Sequence, residues 1–129
     1  MAAVRGRDTC PERVVRSLLH VMGYRFRLHQ RNLPGSPDVV LPRLRAVVFI
    51  HGCFWHRHRC RAGQSTPATR RAFWLSKFEK NVARDERVKR ELRALGWRVL
   101  TVWECQTKPS KLQALERRLG RFLESHGKR

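Results

Sequence analysis

Acidic side chains are scarce in this 129-residue chain: ten Asp and Glu stand against 29 Lys and Arg, a formal net charge of +19. Such a surplus repels itself in a folded domain, so the composition favours a polyanionic partner. Arginine dominates over lysine, which suits bidentate contacts to phosphate. The plainer alternative is a solvated basic surface. Long apolar runs are also missing. No segment approaches the ~18 residues of a membrane span, and the first residues, MAAVRGRDTCPE, lack the apolar core of a secretory signal. These two absences point to the cytoplasm, where the four cysteines stay reduced and serve metal binding or catalysis rather than disulfides. No internal repeat or linker divides the chain. It reads as a single domain over 1–129, with a short N-terminal arm at 1–8 and a frayed tail at 125–129.

What is present orders itself into alternating elements. Thr9-Cys10-Pro11-Glu12 reads as a capping box that opens a helix. Val14, Leu18, Val21 and Met22 follow at helical spacing, and Gly23 stops it. Tyr24, Phe26 and Leu28 alternate with Arg25, Arg27 and His29, a strand with one wet face. A turn-rich loop, Asn32 to Pro37, delivers Asp38 onto Val39-Val40-Leu41. Ala46 to Ile50 is an unbroken apolar run, as expected of a central strand buried on both faces. After a polar loop from Arg61 to Ala68, a long helix is expected from Thr69 to about Leu95. Its apolar stripe is Phe73, Phe78, Val82, Val88, Leu92 and Leu95. Trp97 to Trp103 forms a further strand, and Pro109-Ser110 opens a last helix with Leu112, Leu115, Leu119 and Phe122 on one face. The order α-β-β-β-α-β-α predicts an α/β fold, a mixed sheet flanked by helices.

The central strand runs straight into His51-Gly-Cys-Phe-Trp-His-Arg-His-Arg-Cys60. Cys53, His58 and Cys60 form a C-x4-H-x-C cluster, three of the four N/S ligands of a tetrahedral structural zinc. The fourth must come from elsewhere. Cys105, at the end of a strand, is the best candidate, and Cys10 is left over. The bland reading is a set of ordinary reduced cysteines. With His58 on zinc, His51 and His56 are spare for chemistry. Antiparallel pairing would bring Asp38 and His51 into one neighbourhood. There, one carboxylate, a backbone carbonyl near Ile50 and phosphate oxygens suit Mg²⁺, and a histidine can take a proton near neutral pH. Each of these residues also has a structural alternative. Asp38 follows a proline and could simply form a turn. Glu12 belongs to the capping box. Phe54 and Trp55 could pack around zinc or stack on bases, and Trp74 could equally be a core residue.

Taken together, LPGSPDVVL, VVFIHGCFWHRHRC, PATRRAFWLSKFEKNVARD and GWRVLTVWEC resemble the very-short-patch-repair (Vsr) endonuclease family in order and spacing, from about Arg7 to Cys105. The resemblance implies a restriction-endonuclease-like fold without the usual acidic-x-lysine motif on the second core strand, where this chain has Phe49-Ile50-His51. It implies that Asp38 and the backbone carbonyl of Ile50 hold Mg²⁺, although the family often has Thr where this chain has Ile50. It makes His56 the general base, with Glu12 in support, and pairs His51 with Asp85. Cys53, His58, Cys60 and Cys105 then match the structural zinc ligands, and Phe54, Trp55 and Trp74 match the aromatics that enter DNA beside the mismatch. The implied substrate is double-stranded DNA with a T·G mismatch left by deamination of 5-methylcytosine, nicked 5′ to the thymine. The implied setting is a monomer in the bacterial cytoplasm, associated with the nucleoid and with mismatch-repair coordinator proteins. The family's better-known form carries a longer N-terminal arm, so affinity or flanking-sequence preference is expected to differ here. The competing classes are a zinc-stabilised mismatch- or DNA-binding module without hydrolysis, a nickase of different sequence or lesion specificity, and a basic RNA-binding protein. The set Asp38, His51 and His56 discriminates, since a pure binder needs none of it.

Overall fold

Two apolar runs separated by a tight turn build the centre of the molecule. The computed structural model describes residues 10–53 and 60–127. Its strands are Arg27–Leu28 (β1), Val39–Leu41 (β2), Ala46–His51 (β3) and Arg98–Trp103 (β4). They form one mixed sheet in the order β1-β2-β3-β4. β2 and β3 pair antiparallel, with Val39 opposite Val48 and Leu41 opposite Ala46. The turn between them is a 3-10 segment, Pro42–Leu44, closed by Arg45 in the left-handed region with its N–H on the Pro42 carbonyl. β3 and β4 run parallel from Ala46↔Arg98 to His51↔Trp103. A parallel pair needs a long crossover, and here it contains a single-turn helix, Arg61–Gln64 (α2), and the 24-residue Arg71–Ala94 (α3). Helices Cys10–Val21 (α1) and Leu112–Gly127 (α4) complete the described fold.

Strand alternation divides the core in two. Val39, Leu41, Ala46, Val48 and Val102 pack with Val15 and Leu19 of α1 and with Leu115, Leu119 and Leu123 of α4. Val40, Val47 and Phe49 point the other way, onto Val88 and Leu92 of α3. β3 is therefore covered on both faces, as its unbroken apolar run predicts. Each fully buried Leu or Val removes enough apolar surface to contribute roughly 1.5–3 kcal/mol. Arg98 ties α4 to the sheet: its guanidinium donates to the Phe122 and Leu44 carbonyls and lies over the Phe122 ring.

The structure departs from the sequence expectations in four places. β1 pairs over only two residues, although Tyr24 and Phe26 pack against the α1/α4 core as their alternation suggests. The first part of the loop at 61–68 is one helical turn. Pro109–Lys111 is a 3-10 turn, so the last α-helix starts at Leu112. The expected stripe on α3 is too wide. Phe78, Val88 and Leu92 are buried, whereas Phe73, Val82 and Leu95 are 46%, 38% and 54% exposed. The buried face follows positions 78, 85, 88 and 92, which lie within about one quarter of the helix circumference at 3.6 residues per turn. Asp85 sits on that face, half-buried. Beyond α3, Gly96 takes φ +93, the left-handed stop anticipated at this position. Gly35 serves a different purpose: a Cβ there would lie 2.5 Å from Val88 Cγ1, so its absence lets the loop before Asp38 lie directly on α3.

Candidate active site and metal centres

The end of β3 collects two groups of reactive side chains. The first surrounds Asp38, the residue before β2. Its Oδ2 accepts the Ile50 N–H at 2.7 Å, and its backbone carbonyl accepts the His29 N–H at 3.2 Å. The residue is thereby held from both sides, its carboxyl by Ile50 of β3 and its backbone by His29 beside β1. Glu12, in the first turn of α1, is only 5% exposed and places Oε1 3.6 Å from His29 Nε2. One ligand atom from each of Glu12, His29 and Asp38 lies within 4.8 Å of the others. Burial pushes the Asp38 carboxyl up to about 7. The Ile50 amide opposes that rise, while the charge and hydrogen bonding of Glu12 add to it. Two carboxylates in one half-dry site repel each other and demand either a shared proton or a cation. Two ligands trans to each other on an ion at roughly 2.1 Å stand roughly 4.2 Å apart. The Glu12 and His29 atoms, 3.6 Å apart, fall inside that limit, and all three pairs lie within 4.8 Å.

His51 ends β3 on the α3 side of the sheet. Its Nδ1 lies 3.9 Å from Asp85 Oδ2, and its ring is held between Phe49, at 5.6 Å, and Trp103, at 5.3 Å. The expected proximity of Asp38 to the His51 segment is present through the Asp38–Ile50 bond. The expected partnership of His51 with Asp85 corresponds to a real ion-pair distance. It arises because Asp85 occupies a position on the buried face of α3.

The second group is a trio of thiols. One Sγ each from Cys53, Cys60 and Cys105 lies within 4.8 Å of the others. Tetrahedral zinc with Zn–S near 2.3 Å sets thiolates roughly 3.8 Å apart, so the trio fits three ligands of such a site. Cys53 is fully buried, its N–H faces Glu104 Oε1 at 3.4 Å, and burial pushes its thiol up to about 12. A bound cation would reverse that tendency, because a coordinating thiol loses its proton. Cys10 is exposed and apart from the trio.

Not every expected residue can be located. Phe54, Trp55, His56 and His58 lie outside the described residues, as does Thr9, the partner in the capping box read for Glu12. Trp74 is half-buried at the start of α3. Its ring meets Phe73 at 5.4 Å and Phe78 at 5.9 Å, and Arg70 lies over Phe73. Two residues escaped sequence reasoning. Alternation assigns His29 to the wet face of its strand. At φ +52 it leaves that alternation and turns onto Glu12. Histidine is among the residues enriched in this region, but no local signal reveals the partner. Glu104, inside the WEC motif, supports the thiol group through the Cys53 amide.

A family model described as DNA mismatch endonuclease Vsr matches residues 1–62. The type II nicking enzyme V.XorIIP of Xanthomonas oryzae pv. oryzae is 54% identical over 96% of this chain and 89% of its own length. The chain belongs to the Vsr endonuclease family. The DNA mismatch endonuclease Vsr of Escherichia coli K12 is 47% identical, over 98% of this chain and 83% of its own. The catalytic domain of homing endonuclease I-Bth0305I shares the fold, with a TM-score of 0.64 at 21% identity, covering 92% of this chain and 98% of that one. This Vsr family member is thus a DNA endonuclease on a restriction-endonuclease-like scaffold. No helix among the described residues is long and apolar enough to cross a membrane.

Proposed function

We propose that this protein nicks duplex DNA 5′ to the thymine of a T·G mismatch, in a Mg²⁺-dependent reaction that begins very short patch repair of deaminated 5-methylcytosine. One observation carries the reading. The Asp38 carboxyl accepts the Ile50 amide, and Ile50 directly precedes His51 of the His51–Asp85 pair, so the carboxylate and the imidazole are both held at the same end of β3. Asp38 and the Ile50 carbonyl would hold Mg²⁺, with Glu12 in support. The bound cation would neutralise charge developing on the scissile phosphate. Asp85 would keep the His51 imidazole oriented beside that phosphate. His56 would take the proton from the attacking water as general base.

The remaining features divide the work of binding. Cys53, Cys60 and Cys105, with His58 as the fourth ligand, would hold a structural zinc that fixes the loop after β3. Phe54, Trp55 and Trp74 would stack on or wedge between bases at the mismatch. The net charge of +19 supplies the sequence-independent grip on phosphate. The same reading has the protein acting as a monomer in the bacterial cytoplasm, on the nucleoid, alongside mismatch-repair coordinator proteins. V.XorIIP is named a type II nicking enzyme, which favours treating the preferred flanking sequence as separate from the reaction itself.

The test uses duplexes with one T·G pair or the matched T·A pair, labelled on each strand in turn, with and without Mg²⁺. A single cation-dependent nick 5′ to the mismatched thymine is expected. Equal nicking of the T·A control would point to another lesion or sequence. Tight binding of the mismatch without any nick would make the protein a binding module.

A further inference from the structure

The cation site just proposed contains one residue that the proposal leaves unused. We propose that His29 is a third protein ligand of that site, and that its imidazole gives the site a preference for Mn²⁺ over Mg²⁺. This inference rests on Asp38 being a cation ligand and goes beyond it.

Three observations converge on His29. Its Nε2 lies 3.6 Å from Glu12 Oε1, and a nitrogen of its ring, a Glu12 oxygen and an Asp38 oxygen lie within 4.8 Å of one another. Its backbone is locked to that position, since its N–H donates to the Asp38 carbonyl at 3.2 Å. It stands at φ +52, out of the strand alternation that would have aimed it at solvent, and its side chain is 19% exposed. The three side chains come from α1, the end of β1 and the start of β2, so the fold assembles the donor set from three separate segments.

The chemistry of that set differs from an all-oxygen site. Mg²⁺ demands oxygen ligands and retains its waters. Imidazole suits first-row transition ions, whose affinity for N/O sites rises from Mn²⁺ onward. Two carboxylates alone would hold either ion by charge. Adding a neutral nitrogen donor strengthens Mn²⁺ binding more than Mg²⁺ binding. The carboxylates still permit Mg²⁺, so His29 sets a ranking among cations rather than excluding one.

The test measures binding directly on the 129-residue chain loaded with zinc. Loss of the free Mn²⁺ paramagnetic resonance signal reports Mn²⁺ binding, and its recovery on adding Mg²⁺ reports competition. The electron spin-echo spectrum of bound Mn²⁺ reports nitrogen coordination. Wild type should bind Mn²⁺ on the order of tenfold tighter than Mg²⁺, with nitrogen modulation. His29→Asn, which tolerates the left-handed backbone, and His29→Gln should both lose the modulation and most of the preference while keeping Mg²⁺ binding. An unchanged preference and modulation in both variants would overturn the role of His29 and leave the Asp38 site standing. Absence of binding in wild type, or binding that survives Asp38→Asn unchanged, would overturn the Asp38 site and the His29 proposal together.

Discussion

Cys53 and Cys105 each stand two residues beyond the last paired residues of adjacent parallel strands, His51 and Trp103. Parallel strands deliver their chain ends at the same edge of the sheet, so equal offsets bring the two thiols together. Cys60 then reaches them from the crossover. The thiol trio thus follows from the β3–β4 register and not from local spacing alone.

If the trio holds zinc, removing one thiol should loosen the loop after β3 as a whole. Cys105→Ser should lower bound zinc and cost about 4 kcal/mol or more of stability. Metal analysis and thermal unfolding on the same preparation check this. Full zinc content in the variant would remove Cys105 from the ligand set.

The Asp38 carboxyl carries a pH signature in the cation-free protein. Its folded value of about 7 stands above the ordinary 3.8, so the folded state binds an extra proton between those values. The associated stability is fully present below about pH 4 and is lost as pH rises through about 7. In buffer free of divalent cations, wild type should therefore lose stability from pH 5 to pH 8. Asp38→Asn should flatten that decline and be more stable at pH 8, by on the order of 2 kcal/mol. Identical melting profiles for the two proteins would show that Asp38 ionises as it does in water.

The proposed reaction has Asp85 act through His51. Asp85→Ala should slow nicking by about a hundredfold through loss of imidazole positioning, with mismatch binding retained. Single-turnover rates and mobility shifts separate the two effects, and an unchanged nicking rate would leave the 3.9 Å pair without a role in the reaction.

Gly35 positions the segment that carries Asp38. A Cβ would meet both Val88 methyl groups and the Phe49 ring, and the backbone is at φ +73. Gly35→Ala should destabilise the fold by about 1–3 kcal/mol, measured by denaturant unfolding. A stability equal to wild type would show that the loop can lift from α3 at no cost.

Much of this architecture is legible in the sequence because one strand dominates it. The unbroken Ala46–Ile50 run announces a strand buried on both faces, and the turn signals around it fix its neighbours. The site is less legible where it depends on tertiary contact. Asp38 directly precedes β2, and Asp85 lies three residues before Val88 on the buried face of α3, so their positions can be read once the elements are known. His29 cannot be read this way, because a single left-handed residue reverses the face that alternation assigns. The over-wide stripe on α3 has a related cause: the sequence lists apolar side chains, but contact with the sheet decides which are covered.

The most direct measurement compares wild type with Asp38→Ala on one strand-labelled T·G duplex in Mg²⁺ under single-turnover conditions. Mobility shift follows binding, and a denaturing gel follows the nick. Mismatch binding near the wild-type level, with the nick 5′ to thymine slowed by about a thousandfold, is the expected result. A variant that still nicks at the wild-type rate would contradict a catalytic site centred on Asp38.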